Sequence, residues 1–317
     1  LRATQDLASG KLMEEEAPFL LLAAQQNTSD TGDASSPSLD EMVSNTQTVA
    51  SLPAIYNEII EVVNDPRSSS ADVANVISGD TGLTARLLRV VNSAMYGFPG
   101  KIDTVTRAIT VVGMNELCEL ALATSVIKAF GGTLGKVLNM SLFWKHSLCC
   151  GAIARILAGH MHLPSSERLF VNGLLHDVGR LVLFAQMPQR ELWVIMTADE
   201  SHRPVYSLER ETFGYNHAEV GRALLSAWNL PEGHREVTAF HHSPNSSERF
   251  VVESSIVHVA DILTCVMRIG RSAERRLPPF VPDAWNRLGL SHDILPGLFE
   301  EARVQMADLT GIFELDQ

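Results

Sequence analysis

Several things are scarce in this chain, and each shortage removes a class of protein. Among 317 residues there are only four cysteines. Cys118, Cys149, Cys150 and Cys265 form no CxxC pair and lie in apolar stretches, so they read as reduced, buried thiols. Basic excess is missing too: 25 Lys and Arg face 37 Asp and Glu, giving a formal charge of -12. Nucleic-acid binders carry a basic footprint, so this balance argues against a nucleic-acid partner. Long apolar runs are absent, and FLLLAA at 19 to 24 falls far short of the roughly 20 residues that a membrane span needs. No signal-peptide pattern opens the chain. The expectation is a cytoplasmic protein with no membrane segment.

What is present is 45% apolar content, enough for a sizeable core. Half of the net charge is local, because residues 1 to 41 hold eight acids against Arg2 and Lys11. Residues 25 to 48, QQNTSDTGDASSPSLDEMVSNTQT, lack apolar periodicity and read as a linker. Ahead of it, EEEAPFLLLAAQQ reads either as a short amphipathic helix or as a docking segment. The chain opens on Leu1 and not Met, which leaves room for an upstream regulatory domain.

From Leu52 onward the spacing of apolar residues is helical, and no run alternates apolar with polar. Leu52, Ile55, Ile59 and Val63 define a helix that Asp65-Pro66 ends. Ser70 caps a helix through Ile77 with Gly79 as its stop. A third helix directs Leu83, Leu87, Leu88 and Val91 inward, Thr104 caps a fourth, and NELCELALATSVIKAF forms a fifth closed by Gly131-Gly132. Trp144, Trp228, Phe170 and Phe184 sit at core spacings. The expected class is all α, divided into an acidic segment and linker (1–48), an N-terminal helical subdomain (49–132) and a larger helical subdomain (133–317).

The larger block carries an ordered series of potential ligands: His146, His176-Asp177, His217, His241-His242 and Asp261. Imidazole and carboxylate together suit a divalent transition metal such as Fe, Mn, Zn or Ni. One carboxylate between two sets of imidazoles could bridge two ions and activate the water between them. His146 shares a helix face with Cys149, Cys150 and Ile153, and SSERLFVNGLLHDVGRLVLFAQM is expected as one helix, capped by Ser165 or Ser166, that holds His176 and Asp177 beside Gly173 and Gly179. His258 is three residues from Asp261 and reads as supporting or superficial. His160, His162, His202, His234 and His292 read as surface or hydrogen-bonded core residues.

The blocks SLPAIYNEIIEVVNDP, ISGDTGLTARLLRVVNSAMYGFPGKIDTVTRAITVVGMNEL, FWKHS, GLLHDVGRLVL, NHAEVGRALLSAWNLP and HHSP together resemble the HDOD domain, an HD-related output domain of bacterial signalling proteins. The likeness runs from about Leu52 to about Met267. It implies an HD-like helical bundle preceded by an additional helical subdomain, commonly joined to receiver or other regulatory domains. By similarity to HD and HD-GYP phosphodiesterases, His146, His176, Asp177 and Asp261 match a first metal position. His217, His241 and His242 match a second, with Asp177 as the bridge.

The departures also inform. HHSPNSSERF follows the paired histidines where HD-GYP enzymes carry Gly-Tyr-Pro, and Leu142 stands where some place a further carboxylate. Arg180 replaces the lysine usual after HDxG, keeping a cation of different shape. Two function classes follow. One is a signalling module that acts by regulated contact with a protein partner, with one or two ions at the His/Asp site. The alternative is a metal-dependent phosphohydrolase for a nucleotide or other phosphate ester, with His176 and Asp177 as catalytic groups and Arg180 holding the phosphate.

Overall fold

The computed structural model describes residues 37–47, 52–130, 134, 138–164, 166–272 and 276–315. Within them the chain is built from helices and turns, with no strand. The EEEAPFLLLAAQQ segment, Gly131-Gly132 and Ser165 lie outside the described residues.

The N-terminal helices follow the punctuation of the sequence. The first is α1 (Leu39–Gln47), then α2 (Ala54–Asn64), α3 (Ser70–Gly79), α4 (Thr81–Val91), α5 (Val105–Val112) and α6 (Met114–Ala129). Asp65 leaves the helical region before Pro66, as expected. The cap of α3 is Ser69 and not Ser70: Ser69 and Asp72 exchange hydrogen bonds as a capping box, placing the boundary one residue earlier. Thr104 caps α5 by accepting from the Arg107 amide. Between α5 and α6 the chain bends by 117° at Gly113, whose φ of +106° suits only glycine well. Leu88, expected inward, is half-buried, and Val90 takes its place in the core.

The ligand-bearing part comprises α7 (Met140–His160), α8 (Ser166–Leu175), α9 (Val178–Gln186), α10 (Pro188–Ser201), α11 (Val205–Phe213), α12 (His217–Ala227), α13 (Glu232–Phe240), α14 (Val251–Met267), α15 (Pro282–Leu288) and α16 (Leu295–Ile312). The helix expected across 166–187 is two helices, because the backbone leaves the helical path at His176 and Asp177. Trp144, Trp228, Phe170 and Phe184 are buried as expected. A single apolar core runs from α2 to α16 across the boundary expected near residue 132. α16 packs on both α7 and α4, and Asp308 accepts from the Ala94 amide at 2.7 Å.

Residues 39–47 correct the linker expectation. They form α1, which packs on α9 and α12 and buries Met42 completely. Tyr215 fixes its start by donating its hydroxyl to the Pro37 carbonyl at 2.8 Å.

No single helix among the described residues is long and apolar enough to cross a membrane. The bent α5–α6 pair passes by composition, but α6 lies in the protein core.

Close backbone contacts seat the ligand helices. A Cβ on Gly173 would lie 2.6 Å from the Gly151 Cα of α7, and one on Gly179 would lie 2.0 Å from the His217 carbonyl oxygen. Neither neighbour is a flexible side chain. Gly173→Ala is therefore expected to cost about 3 kcal/mol by overpacking. Gly159→Ala, where nothing lies within 4 Å, should gain about 0.5 kcal/mol from helix propensity. Urea midpoints of the two variants test this, and equal shifts would contradict it.

Candidate metal centre

Five elements bring the series together. His146 projects from α7, His176 and Asp177 occupy the break between α8 and α9, His217 opens α12, His241 and His242 follow α13, and Asp261 projects from α14. The local chain explains each position. Asn216 caps α12 in a capping box with Glu219, which fixes His217 in the first turn. Gly270, at φ +66°, lies against the α7 backbone, where its Cβ would stand 2.2 Å from the His146 nitrogen. The Arg271 amide next to it donates to the Leu142 carbonyl at 2.8 Å.

The donors form two adjoining groups, each with its ligand atoms within 4.8 Å of one another: His146, His176 and Asp261, and then Asp177, His217, His241 and His242. All but His242 are at most 5% exposed, and His242 is half-buried. Asp177 faces both. Its Oδ2 lies 3.3 Å from His176 Nε2, while its Oδ1 lies 3.2 Å from His217 Nε2 and 3.7 Å from His241 Nε2. In the first group Asp261 Oδ1 is 3.1 Å from His146 Nε2 and 3.8 Å from His176 Nε2.

The outer hydrogen bonds aim these atoms. His176 and His241 are placed to donate Nδ1–H to the carbonyls of Gly173 and Thr238, both at 2.7 Å. His217 Nδ1 lies 2.6 Å from Glu209 Oε2. With Nδ1 carrying the proton, the Nε2 lone pair faces the cluster, as in metal-binding histidines. His258 adds support: its Nδ1 donates to the His241 carbonyl at 2.8 Å, and its Nε2 accepts from the Val281 amide at 3.0 Å.

The electrostatics favour a cation. Burial pushes His241 down to about 3, helped by the charge of His176, and burial with His241 beside it lowers His242. Asp177 stays well below the usual carboxylate range against its burial, because His176 and Arg180 stabilise the anion. Against its own burial, the adjacent His146 ring and the His176 charge lower Asp261 to about 2. His176 is raised despite burial by Asp177. A cation at this point would take over the role of that proton.

The residues present fit a divalent transition metal. The Nε2 atoms of His146, His176 and His241 and the Oδ1 of Asp177 are buried with no hydrogen-bond partner. Buried polar atoms without partners are costly, and a cation would satisfy all four. His217 Nε2 and His242 Nε2 face each other 2.9 Å apart, so both nitrogens are turned into the second group.

Arg180 departs from its expected role. It is 1% exposed, with Nε 3.3 Å from Asp177 Oδ1 and Nη1 3.4 Å from Glu209 Oε1 and 3.9 Å from Glu191 Oε1. Its charge is committed to three carboxyl groups behind the cluster, so it orients Asp177 and presents no face to a phosphate. Burial, and then Glu209, push Glu191 well up toward its neutral form.

Sequence reasoning missed Glu191 and Glu209. A signal existed: each falls on the apolar stripe of its helix, Glu209 with Val205 and Leu208, Glu191 with Val194, Ile195 and Ala198. A charge on a buried stripe needs a partner. His234 lies apart from the cluster, a buried core residue with Nδ1 2.5 Å from Asn172 Oδ1 and Nε2 3.3 Å from Glu119 Oε2.

Comparison with known proteins identifies the class. Residues 49–244 match the HDOD domain model, and the chain belongs to the HDOD family. An uncharacterised protein of Treponema pallidum (strain Nichols) is 27% identical over 218 residues, which cover 68% of this chain and 42% of the relative. The chain thus spans less than half of that relative's length. Among solved structures, an HDOD domain protein of unknown function from Geobacter sulfurreducens superposes with a TM-score of 0.69 at 24% identity, covering 87% of this chain and 97% of its own. A Shewanella amazonensis SB2B protein provisionally named a phosphohydrolase superposes with a TM-score of 0.68 at 25% identity, covering 88% and 98%. Asp261 lies beyond the matched residues 49–244, yet it completes the first donor group.

If these donors hold metal, Asp177→Ala should lower the bound content at both positions, and Asp261→Asn should deplete one. Elemental analysis after dialysis against a fixed free-metal level reads the difference. Equal depletion by the two variants would contradict the bridging geometry.

Proposed function

We propose that this HDOD protein is a signalling output module that acts by regulated protein–protein contact, with the His/Asp cluster holding one or two divalent ions as a structural or sensory centre. The observation that carries the proposal is the enclosure of the cluster. Six of the seven donors are at most 5% exposed among five helical elements, and His242, half-buried, lines a cavity. Hydrolysis needs an open coordination position and a substrate held in line with the activated water. A centre closed on the side of His146, His176 and Asp261 is better suited to tying α7, α9, α12, α13 and α14 into one unit. Such a unit can present a surface that changes when the ions or an upstream domain change. The missing Gly-Tyr-Pro segment agrees with this.

One observation favours the second reading, a metal-dependent phosphohydrolase for a nucleotide or other phosphate ester. The cavity beside His242 measures about 710 Å³ and is lined by Tyr206, Arg210, Asn216, Arg222 and Ser243 among others. Any phosphate there would meet Arg210 and Arg222, which pair with Glu219 and Glu232, beside the carboxylates of Glu211 and Glu219. The likeness to the Shewanella protein adds support.

The two readings separate in one assay. The purified chain, loaded with manganese and offered a cyclic dinucleotide or bis(p-nitrophenyl) phosphate, is expected to show no turnover above buffer. Asp177→Ala should leave that baseline unchanged. Robust manganese-dependent cleavage, lost in Asp177→Ala, would establish the hydrolase and displace the output-module reading.

A further inference from the structure

Tyr206 and Glu209 stand three residues apart on α11, a helix that supplies none of the seven donors. The Tyr206 ring stacks on His242, with centroids 4.4 Å apart and planes inclined by 21°. Glu209 is fully buried and accepts twice through Oε2, from the His217 backbone amide at 2.8 Å and from His217 Nδ1 at 2.6 Å. Its other oxygen lies 3.4 Å from Arg180 Nη1, and Arg180 Nε lies 3.3 Å from Asp177 Oδ1. Three members of the second group therefore lean on one face of α11, two directly and Asp177 through Arg180.

The donors are held by different means, and only the second group draws on α11. His176 and His241 are oriented by carbonyls three residues earlier in the chain, which steer a ring without adding charge. Glu209 adds a full negative charge to His217. A carboxylate at Nδ1 fixes the tautomer and makes the far nitrogen a stronger donor to metal. The first group instead depends on α7, α14 and the helix break, none of which is part of α11.

We propose that α11 is the positioning element of a second ion, with Tyr206 and Glu209 as its contact residues, so that the second position fills only while α11 is seated. The proposal rests on the metal reading given above. It makes the two positions unequal: the first belongs to the bundle, and the second answers to a helix that could be displaced. Loss of such a supporting carboxylate typically weakens metal binding about 10- to 100-fold.

Manganese titration by calorimetry, with elemental analysis after dialysis, tests this on the full chain. The wild-type chain should bind two ions. Glu209→Gln should weaken one position by about 10- to 100-fold and leave the other within about twofold, and Tyr206→Leu should shift the same position in the same direction. Combination identifies that position: Glu209→Gln with Asp261→Asn should bind no ion tightly, whereas Glu209→Gln with His217→Ala should match His217→Ala alone. Circular dichroism checks folding, and Tyr206→Leu, which disturbs no buried charge, carries the test if Glu209→Gln does not fold. Two ions at unchanged affinity in both variants, or equal weakening of both positions, would overturn the proposal alone. A wild-type chain with one ion also overturns it, and a wild-type chain with none removes the metal reading as well.

Discussion

The arrangement depends on one constraint: the helix has to break at His176 and Asp177. Adjacent residues on a continuous α-helix point about 100° apart, so an unbroken 166–186 helix could not turn both side chains into one cluster. The break frees the chain to place His176 toward His146 and Asp261 while Asp177 faces both groups. Gly173 and Gly179 flank the break, and each lets a neighbouring backbone approach closer than any Cβ would permit. The packing of α7 and α12 against this turn is therefore a condition for the site. Stability and donor geometry share the same few contacts.

Behind the donors lies a compensated layer of charge. Arg180, Glu191 and Glu209 are all buried, which is costly unless charges are paired. Arg180 stands among Asp177, Glu191 and Glu209, and Glu209 in turn directs His217. A layer of this kind keeps ligand atoms aimed inward before any ion arrives. It also explains why Arg180, despite standing close to the HD pair in sequence, serves the site from behind.

Most of the fold was legible because its signals are local. Helical periodicity, Asp65-Pro66 and the Thr104 cap each map onto an observed boundary. The seven donors were legible as a series, and the structure gathers them into two adjoining groups. Three features were not legible, for physical reasons. Residues 39–47 are mostly polar with a thin stripe of Leu39, Met42 and Val43, and their helix exists by packing on α9 and α12. The break at His176–Asp177 has no proline to announce it and follows from contacts with distant glycines. Glu209 acts across a loop, on a residue eight positions away, so its role appears only when α11 and α12 are placed together.

The most direct test of the central claim is an anomalous-diffraction map of crystals grown with manganese, recorded where the metal scatters. The account predicts density beside Asp177 on its His176 side, with a second peak on its His217 side at higher metal concentration. Ligand distances should be close to 2.0–2.3 Å. Anomalous peaks confined to surface carboxylates, with the Nε2 atoms of His146, His176 and His241 still without a partner, would contradict it.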